Sequence, residues 1–338
     1  MEEGTELPPE ARLLRGLFGF MLTKGLSVAA SLGVADKLKD GPMYYTDLAG
    51  AVSAEQKPLH RIMRMLASAG VFEETKPGEY GLNPVSEPLR SDHPGSLRDM
   101  AVMLTEDSHW QPWGRLADTV RTGKSGPQHA FGADLFSWFQ REENRAQWEI
   151  FNRAMTSFSA GMAPLVVDSY DFSRFRKIVD IGGGHGFLLQ RILESVPDAA
   201  GIVFDLPGVI ETPEDGDLDG RIERVEGDFF KGVPEGGDCY TLKHIIHDWS
   251  DEHCRKILGN IAGAMNPDGR VLVIETVMPE TPEPHPAKFM DVNMLAMTEG
   301  GCERTESEYA ELFTSAGLKL LKVHPTPGPV SLVEAAKD

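Results

Sequence analysis

The chain has 338 residues, 41% of them apolar and 25% charged, and a formal net charge of −19 at pH 7. That length accommodates two hydrophobic cores, and the negative charge repels phosphate backbones and anionic membranes, which argues against a general nucleic-acid binder. The start, MEEGTELPPE, is acidic and poor in apolar residues, unlike a secretory signal or a basic transit peptide, and no apolar run reaches membrane-spanning length. Cys239, Cys254 and Cys302 stand at no metal-ligand spacing. Together these features predict a cytoplasmic protein with reduced thiols.

Leu14, Leu17, Phe18, Met21 and Leu22 recur at helical spacing, and Ser27 to Leu38 continues in the same style. A short helix opens at Thr46. A stronger one carries Leu59, Ile62, Met63 and Leu66, with Pro58 fixing its start close to Lys57 and Gly70 ending it. Residues 71–74 and 79–82 flank Lys76-Pro77-Gly78 as a hairpin. Helix, helix and hairpin predict a mainly α winged-helix domain over residues 1–95. Residues 96–165 read as a helical segment rich in large apolar groups, interrupted by a loop at 123–132.

From residue 166 the texture changes to strands alternating with helices. Strands are predicted at 177–181, 201–205, 222–226, 239–245 and 270–276, and a closing antiparallel pair at 319–324 and 330–335. Asp251 and Glu252 open one helix, and Thr305 with Glu308 has capping-box spacing before another. The fold class is therefore α/β: a doubly wound, mostly parallel, seven-stranded, Rossmann-like sheet with ligand sites at the carboxyl ends of its strands.

Val179-Asp180-Ile181-Gly182-Gly183-Gly184-His185-Gly186 joins the first of these strands to a helix. Glycines 182, 184 and 186 let the backbone turn sharply and approach a ligand. A dinucleotide fingerprint would need glycine where Phe187 stands. The spacing suits instead a cofactor without a pyrophosphate. Asp205, ending the second strand, can accept from both hydroxyls of a ribose. Asp228, after the third, can accept from the exocyclic amine of adenine, with Phe229 covering the ring. Loop, acid and acid at three consecutive strand ends point to an adenosine-bearing cofactor.

The fourth strand runs into LKHIIHDWSDE (242–252). Together with DIGGGHG, FDLP, GDFF and GGCERT, this stretch resembles the small-molecule O-methyltransferases of the caffeic acid O-methyltransferase type, and the likeness covers nearly the whole chain. It implies a class I methyltransferase sheet with S-adenosyl-L-methionine as cofactor and a homodimer formed through the winged-helix half. It implies that Gly182, Gly184, Asp205, Asp228, Phe229, Lys243 and Ser159 hold the cofactor, with Trp249 near the adenine. His247 would be the general base beside Asp248, oriented by Glu275 and Glu303. Phe151 and Met155, with Asn293 and Met294, would line the substrate site. The chemistry agrees: histidine can accept a proton near neutrality, and a carboxylate on its other nitrogen fixes the tautomer. A phenol, about 3 pH units or ~4 kcal/mol from its nucleophilic form at pH 7, is the expected acceptor.

Two positions depart from the plant members. Asn293 replaces an apolar wall residue, which points to a more polar acceptor, and His244 stands where tryptophan is common. No pair of aspartates with an asparagine suggests a magnesium site, so no metal is expected. Competing readings are an N-methyltransferase, a cofactor-retaining decarboxylase or hydroxylase, and a DNA-binding regulator. Residues 1–100 carry 11 Lys or Arg against 14 Asp or Glu, which is no basic stripe for DNA.

Overall fold

Apolar runs such as Ile178-Val179 and Val271-Leu272-Val273-Ile274 are too continuous for a strand with one wet face, and both become central strands covered on two sides. The computed structural model describes residues 8–210 and 220–338; the acidic start lies outside the described residues. The chain divides into two compact units. One runs to Trp110 and includes Ala146–Phe158; the other comprises Gln111–Arg145 and Ser159–Asp338.

The first unit is mainly helical. Strands β1 (Met43–Tyr44), β2 (Glu73–Lys76) and β3 (Glu79–Gly81) form a small antiparallel sheet in the order β1-β3-β2. The helix Gln56–Ser68 buries Leu59, Met63 and Leu66, the one-face spacing of an amphipathic helix. Pro58 falls in its first turn, where no intrahelical N–H is lost. Gly70 at φ 77° ends it, and the Val71 N–H closes on the Leu66 carbonyl. Helix, helix and hairpin are present as expected.

The helix Pro9–Leu17 buries none of its residues. It meets Gly19–Ser31 at a bend of 40°, between Gly16 and Gly19, where the missing side chains weaken a continuous helix. Leu13, Leu14, Leu17, Phe18, Phe20 and Met21 are exposed. Among the described residues no single helix is long and apolar enough to cross a membrane; the bent pair reaches that length and composition jointly.

The second unit carries strands β4 (Lys177–Ile181), β5 (Ala200–Asp205), β6 (Ile222–Glu226), β7 (Cys239–Lys243), β8 (Arg270–Glu275), β9 (Leu318–Pro325) and β10 (Ser331–Lys337). Their order is β6-β5-β4-β7-β8-β10-β9. The first five are parallel, and β10 is antiparallel to both its neighbours. Strand order reverses between β4 and β7, so the crevice beyond their carboxyl ends is the place for a ligand.

Two expectations need correction. The fourth strand was expected to reach Ile245, but β7 stops at Lys243 because His244 takes φ 54°, which no strand residue can hold. The segment 123–132 is not a plain loop. Gly123 and Gly132, both left-handed, end successive helices Leu116–Thr122 and Gly126–Phe131, and Pro127 sits in the first turn of the second.

Candidate active site

After β4 the Gly182 N–H continues the ladder to the Phe204 carbonyl at 2.8 Å. Gly182, at φ 64°, has no room for a Cβ, which would run into the Ile245 side chain. Gly184, at φ 59°, donates its N–H to Asp205 Oδ2 at 2.8 Å, and Leu206 donates to Oδ1 at 2.7 Å. Burial pushes the Asp205 carboxyl up, and these two N–H groups oppose the shift. Each oxygen has spent one lone pair and keeps another, the arrangement needed to receive two ribose hydroxyls.

Beneath the loop Asp180 is buried and accepts from the Thr241 hydroxyl at 2.6 Å. Burial raises its carboxyl to about 6. Lys243, at the end of β7, is pulled down to about 8 by burial, with Asp180, Glu275 and Asp248 holding it up. Among the described residues its ammonium makes no hydrogen bond or ion pair, so its donors stay unspent next to the loop.

Asp228 accepts from the Phe230 N–H at 2.9 Å and pairs with Lys231 at 3.1 Å. Its partial burial raises the carboxyl, but these two partners outweigh it and leave the group below its ordinary value. Trp249 packs against four rings: Phe230 edge-on at 4.8 Å, His253 tilted at 5.8 Å, Phe229 edge-on at 6.0 Å and Phe136 stacked at 6.0 Å. Phe229 and Trp249 thus form one aromatic wall beside Asp228. A glycine cradle without Cβ atoms, a ribose-type carboxylate, an unspent ammonium and this wall fit S-adenosylmethionine.

His247 lies on a single tight turn, Ile246–Asp248, and is 5% exposed. Its Nδ1 is 2.7 Å from Glu303 Oε1, and its Nε2 is 3.7 Å from Asp248 Oδ1. Burial alone would lower the imidazole. Asp248, Glu303 and Glu275 overcome it and raise His247 to about 9. Asp248 is itself raised to about 6, mainly by burial. The His244 ring lies 5.0 Å from that of His247 and is kept neutral by burial and by the neighbouring Lys243 and His247.

Glu303 therefore meets the ring as expected, and Glu275 does not. Glu275 Oε1 accepts the backbone N–H groups of Ile245 at 3.0 Å and His247 at 3.1 Å, while Oε2 takes the Tyr309 hydroxyl. It fixes the turn that bears His247 through the main chain, because β8 ends directly beside the turn that follows β7. Sequence reasoning missed three supporting residues. Tyr309 completes Glu275. Asp291 Oδ1 receives the Glu303 N–H at 3.0 Å. Arg304, fully buried, binds the carbonyls around His247. Arg304 stands in the GGCERT stretch beside Glu303, and a buried arginine there was the available signal.

Asn293 receives the Trp113 indole N–H on Oδ1 at 3.0 Å, and Met294 beside it is buried. Ser159 is buried in the second unit, on the long helix Arg145–Ser169 that passes from one unit to the other. Phe151 and Met155 lie on the same helix within the first unit, where Phe151 stacks on Trp148 at 5.7 Å and on His109 at 6.2 Å.

Comparison with known proteins identifies the family. Residues 113–319 match the O-methyltransferase domain, and residues 14–92 the O-methyltransferase dimerisation domain. The chain is 38% identical to the phenazine O-methyltransferase PhzM of Lysobacter antibioticus, covering 97% of this chain and 96% of that protein. It is 32% identical to the 8-amino-8-demethylriboflavin N,N-dimethyltransferase of Streptomyces davaonensis, covering 91% and 90%. The crystal structure of human N-acetylserotonin methyltransferase in complex with S-adenosylmethionine superposes with a TM-score of 0.89 at 30% identity, covering 99% of each chain. The chain belongs to the O-methyltransferase family, S-adenosylmethionine-dependent enzymes that carry a dimerisation domain ahead of the catalytic one.

Proposed function

We propose that the enzyme methylates a phenolic hydroxyl of a small aromatic molecule, with Nε2 of His247 receiving the hydroxyl proton. The observation that carries this reading is the 2.7 Å contact between Nδ1 and Glu303, which commits one ring nitrogen and leaves the other for the acceptor. The bound cofactor supplies a methyl group on a sulfonium sulfur that departs as a neutral thioether. Gly182, Gly184, Asp205, Asp228, Phe229, Lys243, Ser159 and Trp249 are the residues assigned to hold it. His247 takes the proton as the phenolic oxygen forms its bond to carbon. The carboxylates of Glu303 and Asp248 stabilise the imidazolium that results.

With its value near 9, His247 is largely protonated at neutral pH in the free enzyme and must lose that proton before acting as a base. Activity therefore climbs with pH. Asn293 supports a polar acceptor. The indole N–H of Trp113 only donates, so the amide oxygen faces Trp113. The amide nitrogen is left with a weak contact of 3.9 Å to the Met290 sulfur, and is free to meet a second polar atom of the substrate.

A homodimer is part of the same reading: the exposed stripe from Leu13 to Met21 is apolar surface that a second copy would cover. Nitrogen as acceptor is the second reading, favoured by the similarity to the riboflavin N,N-dimethyltransferase. Labelled S-adenosylmethionine offered with phenols, hydroxylated polycyclic aromatics and matched arylamines tests the choice. Methyl ethers are the expected products. Label found on the amines alone would replace this reading with the second.

A further inference from the structure

Arg304 is 2% exposed, and no element of the reaction as described uses its charge. A guanidinium has five N–H donors in a planar fork, and all five are engaged. Nε and one Nη2 hydrogen go to Asp251 Oδ1 at 3.0 and 2.7 Å. The other Nη2 hydrogen goes to the Trp249 carbonyl at 2.9 Å. Nη1 donates to the carbonyls of Ile246 at 3.1 Å and Cys302 at 3.4 Å.

These acceptors are not scattered. Ile246 and Trp249 bracket the turn that carries His247, Cys302 immediately precedes Glu303, and Asp251 opens the helix Asp251–Ala264. The single S–H of Cys254 lies between the same two carbonyls, Ile246 and Trp249, with Sγ at 3.2 and 3.3 Å. Gly301 permits the close approach of the two segments: a Cβ there would run into the His247 carbonyl and the Thr298 hydroxyl. Asp251 is largely exposed, whereas the guanidinium is not. A buried charge of this kind is expensive to place, and a hydrophobic side chain of similar volume would often be as stable.

We propose that Arg304 is a positioning residue for the base: it locks the His247 turn to the segment bearing Glu303 and so sets the contact between Glu303 and the imidazole. None of its hydrogen bonds reaches the imidazole ring. The inference rests on the reading of His247 as the base for its effect on rate, but not for its effect on the geometry.

Arg304→Lys keeps the charge and removes the fork. A contact displaced by about 1 Å can cost on the order of 10²-fold in turnover, so kcat should fall by roughly that factor with KM for the cofactor little changed. The distinguishing readout is titration of the His247 ring by 15N NMR in the full-length enzyme. Around that ring stand Asp248, Glu303, Glu275, Lys243 and His244. Losing the hold of Glu303 should move the midpoint to lower pH. Asp251→Ala, at an exposed position, should move it in the same direction by less, and it decides the matter should Arg304→Lys not fold. An unchanged His247 midpoint in a folded variant overturns the proposal, whatever the rate. Should His247→Ala keep full turnover, the base assignment falls, while a displaced midpoint in Arg304→Lys still reports the clamp.

Discussion

On the cofactor side of the site, Asp205 is held by the backbone N–H groups of Gly184 and Leu206, twenty-one residues and one residue away. On the other side, the His247 ring is held by Glu303, a side chain 56 residues along the chain, and its turn by the adjacent Arg304 and by Glu275, which Tyr309 holds in turn. The first arrangement follows from the sheet itself: once β4 and β5 pair, the loop and the carboxylate are in place. The second is an assembly of buried carboxylates, a phenol and a guanidinium that only tertiary packing brings together. Binding of the cofactor and proton transfer should therefore respond to different substitutions, and the difference can be broken or sharpened residue by residue.

The largest effect on the cofactor side is expected from Gly182→Val. A β-branched residue at φ 64° is strained by about 1–3 kcal/mol, and its side chain would also displace Ile245. Calorimetry should find cofactor binding reduced by roughly 5- to 150-fold for a strain of that size, and by more where Ile245 is displaced as well. Near-normal affinity would mean that the loop does not hold the cofactor. Asp205→Ala comes next. It removes a charged acceptor worth roughly 1.5–3 kcal/mol, so affinity should drop by about 10- to 100-fold, with the base untouched. A His247 titration that moved in this variant would show the two sides to be coupled.

On the base side, Glu275→Gln should act mainly on stability. Its two oxygens accept two backbone N–H groups and the Tyr309 hydroxyl, and an amide can satisfy only part of that set. A loss of about 1–3 kcal/mol in unfolding free energy is expected, visible by denaturant titration, with a smaller loss of turnover. A stable variant with turnover as low as that of a His247 substitution would place Glu275 in direct contact with the chemistry.

The smallest effect sets function against stability. Asp180 has its carboxyl raised by burial to about 6 from an ordinary value near 3.8. A raised carboxyl favours the folded state only while protonated, so its stabilising effect is present at low pH and is lost as pH rises through about 6. Asp180→Asn removes that cost. Its melting temperature should exceed that of the parent at pH 8, with the gain shrinking towards pH 4. An equal difference at both pH values would mean that the Asp180 charge carries no such cost.

The same contrast explains what could be read from the chain alone. Strands β4 and β6 were placed to the residue and β5 and β8 to within one: β4, β5 and β8 are mostly apolar and end at glycine or acid, while the edge strand β6, Ile222–Glu226, has only Ile222 and Val225 as apolar residues and is marked by the Gly227-Asp228 that follows. The glycine loop, Asp205 and Asp228 lie at those ends and came with them. Family resemblance supplied His247 and the two glutamates. What it could not supply was that Glu275 faces the main chain while Glu303 faces the ring, since neither the apolar run before Glu275 nor the Gly300-Gly301-Cys302 before Glu303 says where the carboxylate goes. Tyr309 and Asp291 looked like ordinary helix residues until packing put Tyr309 on Glu275 and Asp291 on the Glu303 N–H. The early stop of β7 depends on a left-handed histidine, a conformation that no periodicity announces.

The central claim is that His247 moves the acceptor's proton while other residues hold the cofactor. Its most direct test is His247→Ala, assayed across pH with a phenol identified in the acceptor screen and with cofactor affinity measured in parallel. The parent's kcat/KM should rise with pH towards about 9, the value of the His247 ring. In the variant, methyl transfer at neutral pH should be lower by on the order of 10²–10⁴-fold, the His247 limb should be gone, and cofactor affinity should be unchanged. High pH should restore part of the loss, because hydroxide then supplies the phenolate. A variant that keeps most of its turnover at neutral pH, or that loses cofactor binding along with it, would contradict the account.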